Sequence, residues 1–142
     1  MNGKAKITRH AIIDSGMPDF IFLGIVSAEP DYRLSVMLNR HLAIDLRHSQ
    51  TDIREVRGKD ETTWSRFTTT PLTLSLVSNK SHGKILIRKL KNIDYLLVIH
   101  NADDGKNAGA LAAAVRKCPE VTAVFVFESL EIGDRNLALL VQ

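Results

Sequence analysis

Three stretches of this chain are apolar at odd and even positions alike, Gly24, Asp94 and Thr122 apart: Phe20 to Val26, Ile93 to Ile99, and Val121 to Phe127. Runs this short and this unbroken predict strands covered on both faces. Between the second and third lies an alanine-rich helical pattern that ends at Cys118 and is stopped by Pro119. Strand, helix and strand predict a βαβ unit over Asn92 to Glu128, its two strands parallel because the helix carries the chain back. Gly24, inside the first run, predicts a bulge or the close packing of a helix.

The other elements are read from spacing. Leu34, Met37, Leu38 and Leu42 repeat as one face of a helix that opens near Pro30, with Ser27 or Glu29 as its cap. Ala108, Leu111, Ala112, Val115 and Cys118 form the stripe of the second helix, with Asp103 or Asp104 as N-cap. Ile7 to Ile13 reads as a short strand and Asp14 to Asp19 as a turn. His48 to Asp60 reads as one edge strand ending in an exposed turn. Leu72 to Val77 alternates as a half-buried strand, in a hairpin with Thr62 to Thr70 around Pro71. Ser78 to Gly83 is a polar loop, Lys84 to Ile87 a short strand, and Asn136 to Val141 alternates as a terminal strand.

Together these predict an α+β fold: a mostly antiparallel sheet of six or seven strands with two helices. A ferredoxin-like core with an inserted hairpin is the leading arrangement and a profilin-like one the alternative. Two helices cannot cover both faces of a sheet holding three such strands. Either the hairpin folds over the second face, or another copy of the protein does.

Length, composition and charge narrow this little. The 142 residues fit a single domain, 44% hydrophobic and 25% charged. One cysteine excludes an internal disulfide, no apolar run approaches the roughly 20 residues of a membrane span, and no secretory pattern opens the chain, so a cytoplasmic protein is expected. The net charge is +3, unevenly spread: Thr62 to Ile93 holds no Asp or Glu but six bases, while the rest carries 13 bases and 16 acids. Such a stretch suits an acidic partner.

The segment Ile87-Arg88-Lys89-Leu90-Lys91-Asn92-Ile93-Asp94-Tyr95 resembles the motif of a small bacterial family, the IPExxxVDY proteins. Asp31 to Leu34 with Leu38-Asn39, Leu76 to Ser81, and the strand-helix-strand block ending Pro119-Glu120-Val121 resemble the same family in the same order. Arg88 and Lys89 stand where the family's name has Pro and Glu, and Ile93 replaces Val. The resemblance implies one intact domain and no particular activity.

Catalytic and metal motifs are sparse. Asp94 and Tyr95 fit a capping carboxylate and a packed phenol better than an acid–base pair. None of the five histidines forms an i, i+4 pair with another ligand on one helix, and there is no CxxC, HExxH, GxSxG, Walker or GxGxxG pattern. Cys118 sits on an apolar stripe at a helix C-terminus, which suits a core thiol. Phe125 and Phe127 read as buried, which argues against a stacking platform for RNA. The expectation is a non-enzymatic interaction module without cofactor or metal, working as a homo-oligomer. The binding residues are Asn79, Lys80, Lys84, Arg88, Lys89 and Lys91. Two alternatives are a nucleic-acid binder using residues 62–93 and a small-ligand sensor.

Overall fold

The computed structural model describes residues 18–101 and 107–142. The strand expected at Ile7 to Ile13, most of the turn after it, and the caps Asp103 and Asp104 lie outside the described residues. The chain runs β1 (Ile21–Val26), α1 (Asp31–Leu42), β2 (Arg47–His48), β3 (Ile53–Arg57), β4 (Asp60–Trp64), β5 (Arg66–Thr68), β6 (Leu74–Ser78), β7 (Lys80–Ser81) and β8 (Lys84–Ile85). A 3-10 turn (Arg88–Leu90), β9 (Tyr95–Ile99), α2 (Ala108–Arg116), β10 (Ala123–Glu128), α3 (Ser129–Ile132) and a 3-10 helix (Arg135–Val141) complete it.

Six strands form one sheet in the order β10-β1-β9-β6-β5-β2, every described pair antiparallel. The strands of the expected βαβ unit, β9 and β10, do run the same way, but β1 lies between them. β1 and β6 are likewise parallel with β9 between them. The hairpin around Pro71 joins β5 and β6, with Phe67 opposite Leu76.

One face carries α1 and α2. Leu34 and Leu38 of α1 and Ala112 and Val115 of α2 pack on Leu23, Ile25, Leu76 and Leu97. Truncating a side chain as buried as Leu97 costs about 2–5 kcal/mol, because the cavity collapses only in part. α1 starts at Pro30, whose carbonyl accepts from the Leu34 N–H at 3.0 Å. Neither expected side-chain cap is used. Ser27 instead accepts from the Glu29 N–H and donates to the Glu120 carbonyl.

The opposite face is covered by the chain itself. Ile53 and Trp64 from the β3–β4 hairpin, Leu86 and Ile87 from the segment after β8, and Leu137 and Leu140 from the 3-10 helix close over Phe22, Val77, Leu96 and Val98. This corrects three expectations. Residues 48–60 are not one edge strand: His48 ends β2, which pairs with β5, and Ile53–Arg57 is a separate strand paired with β4, although the turn expected at its end is there, at Gly58 and Lys59. β6 is not half-buried, since Val77 has a roof of its own. Residues 136–141 are 3-10 helix rather than strand, and Leu137 and Leu140, three apart, face the core together.

Two further corrections concern β10 and Gly24. β10 is an edge strand, and Phe125 and Val126 are 48% and 44% exposed, so it is not covered on both faces. At Gly24 the register runs without a bulge and no helix intrudes. A Cβ there would stand 2.5 Å from the Phe127 ring and 3.2 Å from Ile93, so side chains of the sheet face claim the space. Among the described residues no helix is long and apolar enough to cross a membrane.

Candidate functional site

Where the β3–β4 hairpin, the 3-10 turn and the loop before the last 3-10 helix meet, they leave a cleft of about 620 Å3. Arg57 enters it from β3, Arg88 and Lys89 from the 3-10 turn, and Arg135 and Asn136 from the C-terminal segment. A smaller hollow of about 110 Å3 continues it past Lys84 and Asp60. Together the two are lined by five bases (Arg57, Lys84, Arg88, Lys89, Arg135) and three acids (Glu55, Asp60, Asp134).

Glu55 organises the arginines. Its carboxylate accepts from the Asn136 amide at 3.1 Å, lies 3.4 Å from the Arg57 guanidinium, and is 3.9 Å from that of Arg88. Glu55 is largely covered, while the two arginine side chains are more than half exposed. Each arginine thus keeps N–H groups turned to solvent, in the planar geometry that grips a carboxylate or phosphate. Asn136 also donates to the Leu86 carbonyl at 2.8 Å, which ties the C-terminal segment to the segment after β8. Lys89 donates to the carbonyls of Ile132 and Gly133, at the C-terminal end of α3.

The six residues expected to bind divide three ways. Lys84, Arg88 and Lys89 line the cleft or its extension. Lys80 pairs with Asp94 at 3.0 Å, and Lys91 borders a shallow apolar depression beside Phe125 and Phe127. Asn79 faces inward and is wholly buried. Its amide donates to the carbonyls of Leu90 and Ile93, and its Oδ1 accepts from the Ile87 N–H, so the side chain is taken up in holding the 87–93 segment. Glu55, Arg57, Arg135 and Asn136 were not anticipated. No spacing in the sequence connects them with residues 84–89.

Asp94 and Tyr95 are both bonded into the fold. Asp94 accepts from the Ser27 N–H and from Lys80. The Tyr95 hydroxyl donates to the Glu29 carbonyl at 2.5 Å, and its pKa is pushed up to about 12, first by burial and then by Asp31, Asp94 and Glu29. Ser75 and His100 also meet, Oγ to Nε2, at 2.5 Å. That pairing has the form of a nucleophile and its base, but Ser75 is only 1% exposed. Burial, and secondarily the charge of Arg66, lowers the pKa of His100. Burial also raises the Cys118 thiol, with help from Glu120, so it is held protonated.

No family model matches this chain, and no curated protein or solved structure matches it.

Proposed function

We propose that this chain is a non-enzymatic interaction module on a ferredoxin-like core, and that its cleft receives an acidic segment of a partner protein. The arrangement of β10, β1, β9 and β6, in which each helix connects two parallel strands across an antiparallel third, supports the ferredoxin-like reading. One observation carries the function: arginines from two distant segments share the Glu55 carboxylate and point their remaining donors into one cleft. Among the described residues, the lining of the main cleft has no serine, threonine, cysteine, histidine or tyrosine, so what these residues offer there is charge and hydrogen bonds. On the resemblance to the IPExxxVDY proteins, Arg88 and Lys89 would be departures from the motif, and the charge of the cleft a property of this chain.

A labelled oligoglutamate peptide, titrated by fluorescence anisotropy at low salt, tests the reading. Binding is expected to weaken with added salt, and to fall about tenfold or more in Arg57→Glu/Arg88→Glu. No binding even at low salt, or binding that the double variant leaves unchanged, would sink it. A second reading rests on Phe125, exposed beside Lys91. A single-stranded oligonucleotide that binds where the peptide does not, and that Phe125→Ala weakens, would favour nucleic acid. A homo-oligomer is also proposed, through a surface other than the sheet face, which the chain itself covers.

A further inference from the structure

Three side chains far apart in the sequence come together on the helical side of the molecule. His41 lies in the last turn of α1, Cys118 two residues beyond α2, and Glu120 on the way to β10. One imidazole nitrogen, the sulfur and one carboxylate oxygen all lie within 4.8 Å of one another. Cys118 donates to the Glu120 carboxylate at 3.2 Å, so that pair already has the separation of two ligands on one ion. Ligand atoms around a tetrahedral zinc ion, at about 2.0–2.3 Å from it, lie roughly 3.2–3.8 Å apart. His41 is exposed and free to rotate through the remaining distance, whereas Cys118 is fixed in the core.

We propose that His41, Cys118 and Glu120 form a zinc site. The donor set is one sulfur, one nitrogen and one oxygen, which suits zinc better than the hard cations that prefer oxygen alone. Two features of the surroundings add to it. The C-terminal ends of α1 and α2 both border the cluster, and the negative ends of their dipoles favour a cation. The Glu120 carboxylate is held from behind, because Ser27 donates to the Glu120 carbonyl at 2.7 Å and so fixes the backbone that presents it. Binding exchanges the Cys118 S–H bond for a sulfur–zinc bond. The thiol proton leaves to solvent, and the fourth position is left to water.

Tag-free protein titrated with Zn2+ by calorimetry, and with Co2+ by absorption spectroscopy, tests this. The expected result is one ion per chain, about one proton released on binding, and a thiolate-to-cobalt charge-transfer band. Cys118→Ser should abolish that band. His41→Ala, at an exposed position that does not threaten folding, should weaken zinc binding about tenfold or more. The absence of the band, or zinc affinity unchanged in His41→Ala, would overturn the assignment. The readouts do not involve the basic cleft, so this site and the acidic-partner reading stand or fall separately.

Discussion

The side-chain amide of Asn79 donates to the carbonyl of Ile93 at 2.9 Å from a position with no solvent exposure. With the further bonds to Leu90 and Ile87, this one residue satisfies three main-chain groups of the segment that roofs the sheet. Asn79→Ala is expected to leave the Ile93 carbonyl and the Ile87 N–H unpaired, the Leu90 carbonyl keeping its bond from the Ile93 N–H, and to cost about 2–4 kcal/mol in urea unfolding, since each orphaned buried group carries a desolvation penalty. An unchanged unfolding midpoint would mean that water replaces the amide without loss.

Gly24 and Phe127 compete for one volume. Gly24→Ala should destabilise by about 1–3 kcal/mol, because the Phe127 ring has to leave its place against Phe22. Adding Phe127→Leu to that variant should restore part of the loss. A double variant no more stable than Gly24→Ala would show that the backbone, and not the ring, sets the limit.

His100 makes stability depend on pH on the acid side. Its folded pKa is lowered, so the folded state binds fewer protons than the unfolded chain once pH drops below the ordinary histidine value of about 6.5. Stability is therefore full above that value and falls as the pH drops through it, at no more than about 1.4 kcal/mol per unit, until the folded pKa is reached. Melting temperatures between pH 5.5 and 7.5 should show this slope in the natural protein and a shallower one in His100→Gln. Equal slopes would place the dependence elsewhere.

Among the described residues, Arg116 guards the β10 edge of the sheet. The Ser129 N–H bonds the Phe20 carbonyl, and the alternation of an antiparallel ladder then turns the main-chain groups of Val124 away from β1. The Arg116 guanidinium donates to that outward carbonyl at 2.9 Å. Arg116→Ala should increase concentration-dependent self-association in sedimentation velocity, because an apolar edge is a template for pairing. Val126→Lys in the same background should reverse it. If Arg116→Ala sediments like the natural protein, the edge is protected by some other means.

β1, β9 and the stripe of α2 were legible in the sequence because burial on both faces leaves an unbroken apolar run, and burial on one face leaves a helical period. β10 shows where that inference fails. Phe125 and Val126 are as apolar as Leu96 and Leu97, yet they stand at an edge, and composition does not distinguish an edge from a centre. Leu137, Leu139 and Val141 fit a strand as well as Leu137 and Leu140 fit a 3-10 helix, since so short a stretch contains both periods. The hairpin of Ile53 and Trp64 was hidden for another reason: these two residues alone enter the core, and everything between them is polar or exposed. The basic run pointed to Lys84, Arg88 and Lys89. Arg57 and Arg135 join them only through tertiary contacts. Asn79 misled because its polarity serves the interior.

The pairing of β1 bears on how the chain reaches this state. Its most apolar strand has no partner nearby in the sequence, since Phe22 sits opposite Val98 on one side and Phe127 on the other. Each of those contacts requires the closure of a long loop before any reward is gained, which places folding on the slow side of the two-state range. As a nascent chain lengthens on the ribosome, β1 emerges well before either neighbour and must wait unpaired, so this is the strand a chaperone would hold.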